Sequence, residues 1–124
     1  MKIIIKNQSE LPIYAQIEEQ IKEQILSGEI PEGEILPSIR RLAREIGVSV
    51  ITTTRAYSDL QEQGFITSVP GKGCLVLSQS NGLLKEQYLK RIEDGLTTAI
   101  TTAQTIGLTA LEVKDMIDML WENE

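Results

Sequence analysis

Isoleucine recurs at every fourth position from Ile13 to Ile25, with polar and charged residues between most of these positions. This spacing predicts an amphipathic helix with one buried side. Gly28 follows the last isoleucine, and a glycine at that place typically ends a helix. Residues 28–33 combine two glycines with a proline and are therefore predicted to form a loop.

Two more helices are predicted, separated by a sharp turn. Four apolar residues between positions 39 and 46 fall at i, i+3, i+4 and i+7, which predicts a helix with a single buried face. Ser38 is suited to cap the first turn of this helix, and Gly47 to end it in a left-handed conformation. Ser49 then caps a third helix that runs to about Gln63.

A β-hairpin is predicted after the third helix. Two strand-like runs, Phe65–Val69 and Cys74–Leu77, are joined by residues 70–73, which contain two glycines. Three helices followed by a hairpin form the outline of a winged helix. We therefore predict a winged helix-turn-helix domain over residues 1–78, within a chain that is mainly α with a small β wing.

Residues 79–124 are predicted to form a separate helical tail. A short polar linker over residues 78–82 joins it to the preceding domain. Apolar residues alternate at spacings of three and four along its first helix, as in a heptad seam. Thr109 and Glu112 have the spacing of a capping box that opens a final helix. Because the seam has no partner inside a winged helix, we predict that the tail dimerises; the alternative is that it folds back on its own domain. The predicted dimerisation residues are Leu89, Ile92, Leu96, Ala99, Ala103, Ile106, Ile117, Leu120 and Trp121.

The composition excludes several classes of protein. The 124 residues are 41% hydrophobic and 24% charged, which is an ordinary globular balance. The chain has no His and one Cys, so it cannot build a His-based acid–base site, a Cys/His zinc cluster or an intrachain disulfide from its own residues. No enzymatic site, metal or cofactor is predicted. No apolar run has the length of a membrane span, and we expect a cytoplasmic protein.

The charge distribution favours a nucleic-acid partner more than the net charge of −6 suggests. Residues 1–78 carry 8 basic and 10 acidic residues, whereas residues 79–124 carry 4 basic and 8 acidic residues. Residues 36–57 carry four arginines against one glutamate. A concentrated basic segment can steer an acidic protein toward DNA.

The helix-turn-helix places the third helix in a position to enter the major groove with its N-terminal half. Its outward residues are predicted to contact DNA, with the apolar pair packing on thymine methyl groups. Arginines on the preceding helix are predicted to face phosphates, and the turn of the wing to reach the minor groove. These candidate residues are Arg40, Arg41, Arg44, Ser49, Val50, Ile51, Thr52, Thr54, Arg55 and Lys72.

Alternative interpretations remain open for three of these features. Val50 and Ile51 would belong to the core if the helix were rotated. Lys72 would be only a solubility residue if the wing did not reach DNA. Cys74 is interpreted as a small strand residue, since nothing in the sequence indicates the lowered thiol pKa of a redox sensor.

Four runs resemble the GntR family of bacterial transcription regulators in order and spacing: residues 11–17, residues 36–43, residues 55–60 and residues 71–73. The short two-helix tail resembles the YtrA subfamily, whose members dimerise through that tail. The resemblance implies that Arg40 matches a DNA-contacting arginine, and that Ser38 and Gly71 match the helix start and the wing tip. Thr52 and Arg55 match polar positions of the recognition helix. Thr53 departs from the family, which usually has a branched apolar residue there.

The sequence thus favours a homodimeric, sequence-specific DNA-binding regulator, a repressor by resemblance, that reads an inverted repeat. Its predicted partners are duplex DNA and a second copy of the chain. A small-molecule effector between protomers is a further option, although no polar cluster in the tail points to one. The competing interpretation is a winged-helix adaptor that binds another protein, which the acidic net charge would suit.

Overall fold

The computed structural model describes residues 1–79 and 83–123, so residues 80–82 of the predicted linker lie outside the described residues. The chain divides into two compact units, Met1–Asn81 and Gly82–Glu124. The first unit contains α1 (Ile13–Leu26), α2 (Ile39–Ile46), α3 (Val50–Glu62), β1 (Ile66–Val69) and β2 (Gly73–Val76). The second contains α4 (Leu83–Thr105) and α5 (Ala110–Glu122). The predicted order of helices and strands is confirmed.

The core of the first unit lies around α3, which packs against α1, α2 and the first strand of the wing. Ile17 and Ile21 on α1 are fully buried, as the spacing of four predicts. Leu60 on α3 and Phe65 just beyond it are also buried. Removing these large apolar side chains from water is the main force that holds the three helices together.

The turn between α2 and α3 has the predicted geometry. The Ser38 side chain accepts a hydrogen bond from the Arg41 backbone N–H at 3.1 Å, which caps α2. Gly47 ends α2 with φ = 70°, a left-handed conformation that glycine adopts without steric cost. The Val48 N–H then reaches back to the Ala43 carbonyl at 3.0 Å. Ala43 is 4% exposed, so a small residue lies where the backbones of the two helices come close.

The wing is an antiparallel hairpin in which Ile66 pairs with Val76 and Val69 with Gly73. β1 begins one residue later than predicted, and β2 both begins and ends one residue earlier. The Phe65 N–H donates to the Leu60 carbonyl at 3.0 Å at the end of α3, while the Phe65 carbonyl accepts from the Leu77 N–H at 2.9 Å and so extends the pairing of the hairpin.

A further chain segment that sequence reasoning did not assign to a strand lies beside β2. Ile35 forms an isolated bridge with Leu75, and the Leu36 N–H donates to the Cys74 carbonyl at 2.9 Å. The segment before α2 thereby fixes the wing to the helical part of the unit.

The N-terminal segment lies extended along α1 and is held by a ladder of three glutamines. The Gln24, Gln20 and Gln16 amide groups each accept from one backbone N–H and donate to the carbonyl of the same residue. The three clamped residues are Lys2, Ile4 and Lys6. The side-chain amides thus replace the neighbouring strand that an extended segment normally needs.

The second unit is a pair of helices with most of its large apolar residues exposed. Thr109 and Glu112 form the predicted capping box at the start of α5. Ala103 is 7% exposed, whereas Ile106, Leu120 and Trp121 are between 62% and 80% exposed. Among the described residues, no helix is long and apolar enough to cross a membrane.

Candidate nucleic-acid interface

The N-terminal half of α3 presents apolar side chains to solvent, as predicted. Val50 is 47% exposed and Ile51 is 83% exposed, so the alternative that both belong to the core is wrong. Thr54 is exposed, and its hydroxyl donates to the Val50 carbonyl at 2.8 Å. That hydroxyl oxygen still has a lone pair with which to accept another hydrogen bond. Large aliphatic side chains that remain in water are suited to an apolar partner such as a thymine methyl group.

Two of the predicted contact residues hold the start of α3 together. The Ser49 hydroxyl accepts from the Thr52 backbone N–H at 3.0 Å and donates to the Thr52 side-chain oxygen at 2.8 Å. Thr52 is half-buried, whereas Ser49 is exposed. Thr53 is fully buried, and its hydroxyl donates to the Ser49 carbonyl at 3.1 Å. The polar group of Thr53 is therefore satisfied in a position where an apolar residue was expected.

The arginines of α2 differ in what they contact. Arg41 forms an ion pair with Glu45, with 2.8 Å between Nε and Oε1. Arg40 and Arg44 are exposed and form no ion pair with any residue in the described part of the chain. Among the arginines of α2, these two are therefore the ones whose guanidinium groups can meet an external anion without breaking an ion pair.

A tyrosine that sequence reasoning missed fixes the start of α2. The Tyr57 hydroxyl, on α3, donates to the Pro37 carbonyl at 2.6 Å. Burial is the main cause that raises the pKa of this hydroxyl, and nearby Cys74 and Glu45 contribute, so it stays protonated and able to donate. The N-cap residue Ser38 is thereby held next to the recognition helix.

The turn of the wing lies close to the start of α2. Ser38, Arg41 and Lys72 line one surface depression of about 560 Å³, together with the acidic residues Glu34 and Glu45. The turn itself is closed by the Lys72 N–H, which donates to the Val69 carbonyl at 2.9 Å, and Gly71 takes φ = 79°. The predicted wing and helix-start residues are thus brought together, although the depression is of mixed charge.

Arg55 lies at a different place, where α3 packs on α1. Its guanidinium carbon is 3.7 Å from the centroid of the Tyr14 ring, and its Nε is 3.8 Å from Oδ2 of Asp59. Tyr14 belongs to the run that resembles the GntR family, but nothing in the sequence pairs it with Arg55.

A buried carboxyl group lies beside this arginine. Glu18 is 7% exposed, and its Oε1 atom has no hydrogen-bond partner. Burial is the main cause that raises the pKa of Glu18 to about 8, and a hydrogen bond and charge repulsion with Asp59 add to it. Lys22 and Arg55 act in the opposite direction. A pKa of about 8 favours the protonated, uncharged form of Glu18 at neutral pH.

Cys74 and the acidic residues of the described part of the chain belong to the residue types found in reactive and metal-binding sites. Cys74 is half-buried, and burial raises the pKa of its thiol, which opposes formation of the reactive thiolate. Within residues 1–79 and 83–123, no group of three or more His, Cys, Asp or Glu residues has the arrangement of a metal site.

The helix-turn-helix with a hairpin wing defines the class of winged helix-turn-helix proteins. Residues 13–76 match the family model of the bacterial regulatory proteins of the gntR family. The chain belongs to this gntR family.

Comparison with individual proteins agrees with this assignment. The chain is 32% identical to the transcriptional repressor YtrA of Bacillus subtilis over 93% of its own length and 88% of that protein. It matches the repressor NagR of the same organism with 36% identity over 85% of its length, but spans only 40% of NagR.

Solved structures show the same fold. YtrA of Sulfolobus acidocaldarius, a GntR-family transcription factor, is 38% identical with a TM-score of 0.63, over 77% of this chain and 97% of that one. The DNA-binding domain of AraR, solved in complex with its operator, is 33% identical with a TM-score of 0.54, over 61% of this chain and 95% of that domain.

Proposed function

We propose that this protein is a sequence-specific DNA-binding transcriptional regulator that acts as a repressor. The observation that carries this proposal is the exposed start of α3, where Val50 and Ile51 lie in water beside a helix with two unpaired arginines. The relatives named as repressors, and the AraR domain bound to its operator, support it. A regulator of this kind works in the cytoplasm, where the DNA is, and needs no enzymatic site.

Each element has its own role in the proposed complex. The N-terminal half of α3 enters the major groove, where Val50 and Ile51 pack against thymine methyl groups and Thr54 accepts a hydrogen bond. Arg40 and Arg44 contact phosphates and fix the register of the helix. Lys72, in the turn of the wing, adds a charge contact at the neighbouring minor groove.

We further propose that the protein binds an inverted repeat as a homodimer joined by its tail. Leu96 and Ile117 line an apolar groove of about 340 Å³ between α4 and α5. Nearer the end of α5, Leu120 and Trp121 are 62% and 80% exposed. Soluble monomers rarely expose a contiguous apolar surface of this kind, and a second copy of the tail would cover it. Two winged helices related by a two-fold axis read two half-sites in opposite orientation.

Arg40→Ala tests the proposal on the full chain. Selection from a random duplex pool first supplies the operator, and fluorescence anisotropy then gives its affinity. Loss of a phosphate or base contact from Arg40 should cost about 1–3 kcal/mol of binding free energy, while far-UV circular dichroism stays unchanged. Arg91→Ala, which removes the same charged group from an exposed position in the tail, is the matched control.

Three results would count against parts of this proposal. If the wild-type chain shows no salt-dependent binding to duplex DNA, the protein is an adaptor and not a DNA-binding regulator. If selection yields a single half-site, the inverted repeat is wrong. If Arg40→Ala and Arg91→Ala weaken binding equally, Arg40 contributes only its charge.

A further inference from the structure

Four side chains form a cluster where the recognition helix crosses the first helix. Tyr14 and Glu18 come from α1, one helical turn apart, and Arg55 and Asp59 come from α3 with the same spacing. The Arg55 guanidinium lies 3.7 Å from the Tyr14 ring centroid and 3.8 Å from the Asp59 carboxylate. The Arg55 side chain is nevertheless 60% exposed, so neither contact buries it.

Two different forces act on this guanidinium. Its positive charge is attracted by the electron-rich face of the tyrosine ring, which also provides a flat surface for the planar group. Asp59 attracts the same group through its charge and limits its rotation about the side-chain bonds. A long and otherwise flexible side chain is therefore confined to few rotamers while part of it stays in contact with solvent.

The raised pKa of Glu18 limits the negative charge near Arg55, which favours an anionic partner at this place. Burial raises the pKa of Glu18 to about 8, so its uncharged form is favoured at neutral pH and adds little negative charge beside Asp59. The positive charges of Lys22 on α1 and Arg55 on α3 are near enough to lower the pKa of Glu18 in part. A second negative charge at this place would oppose the approach of a phosphate to Arg55.

We propose that Tyr14 is a positioning residue for DNA binding, which together with Asp59 holds the guanidinium of Arg55 in the orientation that meets the DNA backbone. This inference rests on the proposed function. Ordering a free arginine at an interface costs roughly 2- to 10-fold in affinity, and a guanidinium that is already held avoids part of that cost. Tyr14 contributes to affinity through Arg55 and touches no DNA itself.

A double-mutant cycle on operator affinity tests this role in the full chain. Tyr14→Leu should weaken operator binding about 3- to 5-fold when Arg55 is present, and less than 2-fold in the Arg55→Ala background. Tyr14→Phe keeps the aromatic face and should restore affinity to within 2-fold of the wild type. A tyrosine needed only for packing would weaken binding equally in both backgrounds.

Tyr88→Leu is the matched control, because the centroid of the Tyr88 ring, in the tail, is 5.1 Å from the guanidinium carbon of Arg91. It should leave operator affinity unchanged. If Tyr14→Leu fails to fold, Asp59→Asn removes the other support of Arg55 and should show the same coupling.

The outcomes separate this inference from the proposed function. If the wild-type chain binds the operator but Arg55→Ala binds equally well, Arg55 is not a contact and the inference is overturned while the regulator remains. Equal losses from Tyr14→Leu in the two backgrounds also overturn it. Absence of any DNA binding by the wild-type chain overturns the proposed function itself.

Discussion

Replacing Glu18 by glutamine should make the first unit more stable at neutral and alkaline pH. The carboxyl group of Glu18 is 7% exposed, and its pKa rises from 4.5 to about 8, mainly because burial disfavours the charged form. Glutamine keeps a donor for the hydrogen bond to Asp59 and does not ionise.

The direction of the pH effect follows from the two pKa values. Below pH 4.5 Glu18 is protonated whether the chain is folded or unfolded, so its contribution to stability is fully present. Between pH 4.5 and about 8 the unfolded chain releases the proton and the folded chain keeps it, which favours unfolding. The free energy of unfolding then falls by about 1.4 kcal/mol per pH unit, and by about 5 kcal/mol in total.

Urea unfolding of the full chain, followed by far-UV circular dichroism at several pH values from 5 to 8.5, measures this effect. The stability difference between Glu18→Gln and the wild type should grow steadily with pH and level off above about pH 8. Glu23→Gln, at an exposed position on the same helix, is the control and should show no such growth. Parallel pH curves for wild type and Glu18→Gln would refute the reasoning, because Glu18 would then titrate like an exposed carboxyl group.

Three other predictions concern the proposed interface and the tail. Val50→Asn should change the bases that are preferred in a selection experiment. Because Val50 is 47% exposed, the free energy of unfolding should stay within about 1 kcal/mol of the wild-type value, and a larger loss would place the residue in the core. Lys72→Ala should reduce the slope of log affinity against log salt by about one, and an unchanged slope would remove the wing from the contacts. Leu120→Glu should convert the dimer to a monomer, as measured by sedimentation velocity at micromolar concentration. It should also weaken operator binding, because the two DNA-binding domains are no longer joined. A persistent dimer would exclude this part of the tail as the interface.

Local signals in the sequence predicted the helices well. Ser38, Ser49 and Thr109 each act within three residues of their own position, so their capping roles depend little on the rest of the fold. Gly47 likewise ends α2 because of its own backbone freedom. These residues define where α2, α3 and α5 begin or end.

The features that sequence reasoning missed depend on residues far apart in the chain. Arg55 and Tyr14 are brought together only by the packing of α3 on α1, and no periodicity predicts that contact. The segment around Ile35 joins β2 through a single bridge, which is too short to leave a strand pattern. Apolar spacing along α4 predicts an exposed face, but it does not identify what covers that face.

The glutamine ladder along α1 is possible because four residues of helix and two residues of extended chain have nearly the same length. Four residues of helix advance about 6.0 Å, and two residues of extended chain advance about 6.4–6.8 Å, so successive rungs fall out of phase by roughly half an ångström. The backbone N–H groups of Lys6 and Ile4 donate at 2.8 Å, whereas the N–H of Lys2 lies 3.4 Å from the Gln24 oxygen, although the Gln24 amide still donates to the Lys2 carbonyl at 2.8 Å. The difference in rise between helix and extended chain would limit the number of rungs that one such ladder could hold. The glutamine amides bond only to backbone atoms, so the side chains at Lys2, Ile4 and Lys6 are free to vary. The register of the segment is fixed by the three glutamines.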